Sequence, residues 1–265
     1  MMNTITGVII ASIILSIVVL LVLRQRKKKS IHEKLNQEFP EAWRTILKKD
    51  VVFYKKLNEA DKSVFEKRVQ LFIATKTIEG IETEIDDTIR LMVAASAIIP
   101  TFAFPQYNYP HVQSVLIYPN SFSEKYETQI RDGLEEPIIG MVSGRIQVGN
   151  VILSKPDLLL AFDGLPHKEN VGVHEFIHML DKEDGEIDGI PEFLLDHRFA
   201  APWLNEIKKE MRNIEQGKSD INPYALTNNA EFLAVVSEYF FDNPDKFLKK
   251  HPELYRQLSA IFNRG

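Results

Sequence analysis

The chain contains no cysteine, and that one absence removes disulfide staples, thiolate metal sites and cysteine nucleophiles together. A metal bound here has to be held by histidine, carboxylate or backbone oxygen. Internal repeats and low-complexity tracts are also missing beyond an apolar N-terminal run. Glycine and proline stay at 12 and 13 in 265 residues, so collagen-like and disordered readings fall away. Basic charge is scarce outside the N-terminus. Residues 1–29 carry Arg24, Arg26, Lys27, Lys28 and Lys29 with no acid, which leaves 27 basic against 37 acidic residues in the remainder. A body with net charge −10 is a poor partner for phosphate, and direct nucleic-acid binding is not expected.

What is present begins with residues 5–23, ITGVIIASIILSIVVLLVL, 19 positions without a charge. As a helix this run covers about 28 Å, close to the ~30 Å hydrocarbon core of a bilayer. Nothing basic precedes it and RQRKKK follows it, the reverse of a cleaved signal peptide. The pattern predicts an uncleaved single-pass membrane anchor over residues 1–29. The basic cluster places the rest of the chain on the cytoplasmic side of the membrane.

From Ser30 to about Gly80 apolar residues recur at three and four spacings, which predicts helices, with Asp61 as an N-cap between two of them. A further helix is expected over Asp86–Ile98, ended by Pro100. The segment PQYNYP (105–110) reads as a loop. Strand patterns follow at Val112–Tyr118, Gly140–Val148 and Val151–Ser154, with a turn at Gly149–Asn150. From Glu169 the chain reads helical to its end, interrupted at 185–191, at Pro202 and at Asn222–Pro223. A helical lobe, a small central sheet and a second helical lobe define an α+β class.

The chemistry concentrates in Asn170–Gly185, NVGVHEFIHMLDKEDG. His174 and His178 are four apart, so on a helix both imidazoles project from one face and reach one Zn²⁺ at about 2.0–2.1 Å. Glu175 is offset around the helix, where it can take a proton from metal-activated water instead of ligating. Val173, Phe176, Ile177 and Leu180 form the opposing apolar stripe. A catalytic site needs a third protein ligand. Asp181 shares the face but is short, and is expected to bond a ligand imidazole or the helix C-terminal turn. Glu231 and Glu238 are the two acids in the apolar helix NAEFLAVVSEYFF (229–241), seven apart on one face, and spacing does not choose between them. Tyr224, in INPYAL, enters that helix and can donate a hydrogen bond to a developing oxyanion. His32, His111, His167 and His251 lie in no motif.

Four segments, VLIYPNSF (115–122), HEFIHMLD (174–181), NPYAL (222–226) and AEFLAVVSEYFF (230–241), together resemble the Mlc titration factor A family of zinc-dependent peptidases. The resemblance covers about residues 110–250. It implies a zincin-like core similar to lethal-factor-type gluzincins, with residues 30–110 as a helical part and 111–265 as the catalytic core. It further implies one Zn²⁺ per chain on His174, His178 and Glu231, Glu175 as catalytic glutamate, Tyr224 as active-site tyrosine, and Glu238 as a supporting acid. The implied activity is aminopeptidase-like hydrolysis of short peptides, and the family's namesake has a transcriptional repressor as protein partner. The β-patterned run Gly140–Val148 is expected to align an extended peptide by strand addition through its backbone, so that replacing Arg145 or Gln147 leaves affinity largely intact while a proline at a donor position weakens it. The competing expectation is a membrane-tethered regulatory binding protein with a structural zinc site closed by Asp181, Glu238 or His197 as fourth ligand.

Overall fold

The computed structural model describes residues 2–119, 149–167, 169–192, 194 and 200–262, with side chains throughout except at 2–9, 11–13 and 27. It divides into two compact units, residues 1–39 and 40–265. The first contains helix α1 (Met2–Leu35). No helix among the described residues is long and apolar enough to cross a membrane. This overturns the expected single-pass anchor, and with it the membrane localisation facing the cytoplasm.

The second unit is helix-rich and mixed. Its helices are α2 (Glu41–Asp50), α3 (Val52–Lys56), α4 (Glu59–Thr75), α5 (Asp87–Ile98), α6 (Lys155–Ala161), α7 (Val171–Asp181), α8 (Ala200–Glu215), α9 (Asn229–Asp242), α10 (Pro244–Lys250) and α11 (Pro252–Phe262). Strands β1 (Thr77–Gly80), β2 (Val112–Tyr118) and β3 (Gly149–Ser154) form one sheet in the order β1-β2-β3. Both pairings are parallel. Parallel neighbours need a crossover, and α5 supplies the one between β1 and β2.

Local chemistry explains most boundaries. Asn58, rather than Asp61, caps α4, its side chain accepting from the Asp61 amide; Asp61 instead adds negative charge to the first turn. Asp86 caps α5 by accepting from Ile89 N. TIEG at 77–80 is a strand, where the spacing predicts helix to about Gly80; it pairs through Ile78 with Val115, and Ile78 is buried. Gly149 and Asn150 belong to β3 instead of forming a turn. A Cβ on Gly149 would stand 1.7 Å from the His111 carbonyl oxygen, so a bare α-carbon lets the two chains meet. Pro202 lies in the first turn of α8, where no intrahelical N–H is lost, and the helix runs through it. The expected strand Gly140–Val148 lies outside the described residues.

Helix α7 is the hub of this unit, packing against β3, α5, α6 and α9. Its stripe of Val173, Phe176, Ile177 and Leu180 is buried, as expected. Phe176 meets Phe72 of α4 and Tyr109 edge-on, at ring centroids of 5.7 and 5.0 Å. Burial of each such ring contributes roughly 1.5–3 kcal/mol. Gly172 allows α5 to approach, since a Cβ there would collide with Ser96 Oγ. The helix is therefore fixed along its length before its polar face is used.

Candidate metal centre

Asn170 starts α7. Its side chain accepts from Val173 N at 3.0 Å, which caps the helix and sets the rotation at which His174 and His178 emerge one turn apart. Helix α9 starts in the same way, with Asn228 Oδ1 accepting from Glu231 N at 2.9 Å. Glu231 thus occupies the first turn of α9, where the helix dipole favours a carboxylate.

The packing of α7 on α9 brings three ligand-type groups together. His174 Nε2 and His178 Nε2 are 3.1 Å apart. Glu231 Oε2 lies 3.0 Å from the first and 3.4 Å from the second. Donor atoms on one tetrahedral ion at about 2.0–2.1 Å stand roughly 3.3 Å from each other. The triangle therefore fits a single small divalent cation, and among the described residues these three form the one such cluster.

Glu238 faces the other side of His174. Its Oε1 is 2.7 Å from His174 Nδ1, and its Oε2 accepts from the backbone N–H of Asn170. A proton on Nδ1 donated to this carboxylate leaves the Nε2 lone pair free for a metal. Burial opposes charge on His174 and on Glu231. It works against an imidazolium at His174, but the Glu238 and Glu231 carboxylates outweigh it and raise the imidazole well above its ordinary value. For Glu231 burial likewise works against ionisation, and bonds from His174 and His178 hold it well below the usual carboxylate range. A divalent cation would take over the role of the imidazolium proton in this cluster.

Glu175 is 2% exposed, and its Oε2 has no hydrogen-bond partner. Burial raises its carboxyl above the ordinary value, partly offset by the positive charge that His174 and His178 can carry. A buried acceptor without a donor is costly unless something outside the chain satisfies it. Tyr224 sits in a 3-10 turn (Pro223–Leu226) capped by Asn222, with its ring centroid 6.1 Å from that of His174.

Asp181 is buried but does not join the cluster. One oxygen accepts from Gly189 N at 2.8 Å, which ties the end of α7 to the following loop. Burial pushes its carboxyl up to about 6. His197 lies outside the described residues. Two buried groups went unnoticed in the sequence. Asn170 carried a readable signal, an Asn immediately before an apolar helix. Asp242, one turn beyond Glu238, gave none, because its importance depends on burial that pushes its carboxyl up to about 8.

A His–His–carboxylate triangle on an HExxH helix, beside a buried unpartnered glutamate, defines the metallopeptidase class of site. Residues 23–263 match the family described as glucose-regulated metallo-peptidase M90, and the chain belongs to that family. It is 28% identical over 231 residues to an uncharacterised protein of Synechocystis sp., covering 84% of each chain. It is 33% identical over 159 residues to Mlc titration factor A of Salmonella agona, covering 57% of this chain and 58% of that one. The match to Mlc titration factor A of Escherichia fergusonii is alike, at 33% over 160 residues. The chain thus spans less than two thirds of the titration factors it matches. Family and cluster together point to a divalent metal.

Proposed function

We propose that the protein is a zinc-dependent peptidase with a zincin-like, gluzincin-type core, hydrolysing short peptides in an aminopeptidase-like manner. One Zn²⁺ per chain is assigned to His174, His178 and Glu231. The observation that carries the reading is the 3.0–3.4 Å triangle of His174 Nε2, His178 Nε2 and Glu231 Oε2 next to the unpartnered Glu175 carboxylate. When bound, the metal supplies a Lewis acid that lowers the pKa of water toward ~7 and polarises the scissile carbonyl.

The chain's own groups do the rest. Glu175 accepts the proton of the attacking water and returns it to the departing amine, a task suited to a carboxyl whose pKa burial has raised. Tyr224 donates its phenolic proton in a hydrogen bond to the oxyanion. Glu238 keeps His174 in the Nδ1–H tautomer. In this reading residues 30–110 support the catalytic core at 111–265.

A second reading, a regulatory protein that sequesters a partner such as a transcriptional repressor, is favoured by one observation, the name Mlc titration factor A borne by the Salmonella relative. A structural zinc site closes with a fourth protein ligand. Among the described candidates, both Glu238 oxygens are engaged by His174 and Asn170 and one Asp181 oxygen is held by Gly189, which favours an open position. Hydrolysis of a panel of amino-acid anilides and short peptides by the zinc-loaded full chain, against its Glu175→Gln variant, separates the readings. Cleavage by the first alone supports the peptidase. Cleavage by neither, with zinc in both, supports the regulator.

A further inference from the structure

Tyr224 is carried by a segment that is anchored by residues outside the metal cluster. His251 stands at the junction of α10 and α11 and is 9% exposed. Its Nε2 lies 2.9 Å from Asp220 Oδ1, and its Nδ1 lies 3.5 Å from Glu210 Oε2 on α8. The second oxygen of Asp220 accepts from the Tyr239 hydroxyl of α9 at 3.0 Å, with Lys246 of α10 at 3.6 Å. Glu210 also accepts from Asn213 at 3.0 Å and lies 3.9 Å from Lys209. A cavity of about 200 Å³ opens beside the imidazole, where Lys218, Lys250 and Glu253 complete the charged surroundings.

The connection to the site is short. Gly217 ends α8 in a left-handed conformation (φ +66°), which only glycine adopts cheaply. The chain then passes Asp220 and reaches Asn222, whose Oδ1 accepts from Tyr224 N at 2.9 Å. Asn222 Nδ2 donates to Glu169 at 2.8 Å, immediately before the Asn170 cap of the metal-bearing helix. Asp220 and Asn222 are thus the two pins of this segment.

We infer that His251 is a positioning residue: by bridging Glu210 and Asp220 it fixes the 216–222 segment and so the placement of Tyr224 against His174. The inference rests on the reading of Tyr224 as the oxyanion donor. A neutral imidazole has one N–H and one lone pair, so it satisfies one carboxylate and repels the other, whereas the imidazolium donates to both. Burial works against the charge at His251, but Glu210 and Asp220 outweigh it and hold the imidazole above its ordinary value. A raised folded-state value means that the bridge is complete below about pH 6.5 and is lost as pH rises through that raised value.

The test measures kcat and KM for a short peptide between pH 6 and 9, using the zinc-loaded full chain with His251→Asn, Tyr224→Phe and both together. Displacing a donor by a fraction of an ångström to one ångström lowers turnover about 10- to 100-fold. The expected result for His251→Asn is a kcat at least tenfold lower at pH 6, with KM within about twofold, because the oxyanion forms after binding. The wild type approaches that level as pH rises, and His251→Asn adds nothing to Tyr224→Phe. Independent, multiplying effects, or a His251→Asn profile matching wild type, overturn the inference. Asp220→Asn guards against a histidine variant that does not fold, and is expected to reproduce the loss; a wild-type profile in it also overturns the inference. If Tyr224→Phe is itself fully active, the oxyanion reading has failed, and amide hydrogen exchange decides the positioning claim. His251→Asn is expected to speed exchange at residues 219–226 about tenfold while α5 is unchanged, and unchanged exchange at 219–226 overturns it.

Discussion

His174 Nδ1 lies 2.7 Å from Glu238, on the side of the ring opposite Glu231, so these two acids of α9 grip one imidazole from its two nitrogens. They share a helix face at a spacing of seven, yet one lies among the three candidate ligand atoms and the other meets the opposite ring nitrogen. Glu238 is itself held by the Asn170 N–H that begins α7. The start of α7 and the His174 ring are thereby held by one carboxylate.

Glu238→Gln replaces that carboxylate with a neutral amide and weakens its hold on the Nδ1 proton. Loss of such a supporting partner lowers metal affinity about 10- to 100-fold. Competition against a chromogenic chelator measures this directly, and an unchanged zinc affinity would show that Glu238 serves packing alone.

Tyr224→Phe keeps the ring beside His174 and removes the phenol. Removal of one oxyanion donor lowers kcat about 10²- to 10³-fold with KM little changed. Steady-state kinetics on a single peptide give both values. A change confined to KM would assign Tyr224 to substrate binding instead.

Asp242 has a raised folded-state value, about 8, caused first by burial and then by the nearby Glu238 charge, with Asn170 acting the other way. A raised carboxyl binds its proton more tightly when folded. Its contribution to stability is complete below about pH 4 and is lost as pH rises toward 8. Asp242→Asn removes this slope and stabilises the chain at pH 8 by on the order of 2 kcal/mol relative to wild type. Urea denaturation of both forms at pH 5 and pH 8 checks it, and parallel pH dependences would refute it.

Gly189 has φ +80°, and a Cβ there would stand 2.3 Å from the Asn229 carbonyl oxygen at the start of α9. Its N–H bonds Asp181, and its carbonyl accepts from the Trp203 indole at 2.7 Å. Gly189→Ala strains the loop and presses on the helix that carries Glu231, costing about 1–3 kcal/mol. A drop in the thermal midpoint of the metal-free chain, with a parallel loss of zinc affinity, is the expected pattern.

Legibility in the sequence followed the range of the interactions. His174, Glu175 and His178 were readable because their relation is set within a single helical turn. Strand Val112–Tyr118 and the helix that begins after Asp86 were readable for the same reason of local period. Glu231 and Glu238 were indistinguishable by spacing because only the packing of α9 against α7 assigns their faces. Strand TIEG was hidden by its shortness, since four residues cannot establish a period against the helix before them. His251 and Asp220 are 31 positions apart, and no local pattern announces their bond. The apolar N-terminal run shows the opposite failure, where a strong local signal predicted a membrane span that the described helix does not bear out.

The central claim is that Glu175 acts as the proton acceptor beside a metal held by its neighbours. The most direct measurement is peptide hydrolysis by wild type and Glu175→Gln, with zinc content determined in the same samples. The account predicts equal zinc in both and a kcat lower by at least ~10³-fold in the variant, since the amide cannot take the proton. Equal zinc with equal activity would remove Glu175 from the chemistry, and zinc bound by both with no cleavage by either would contradict the peptidase itself.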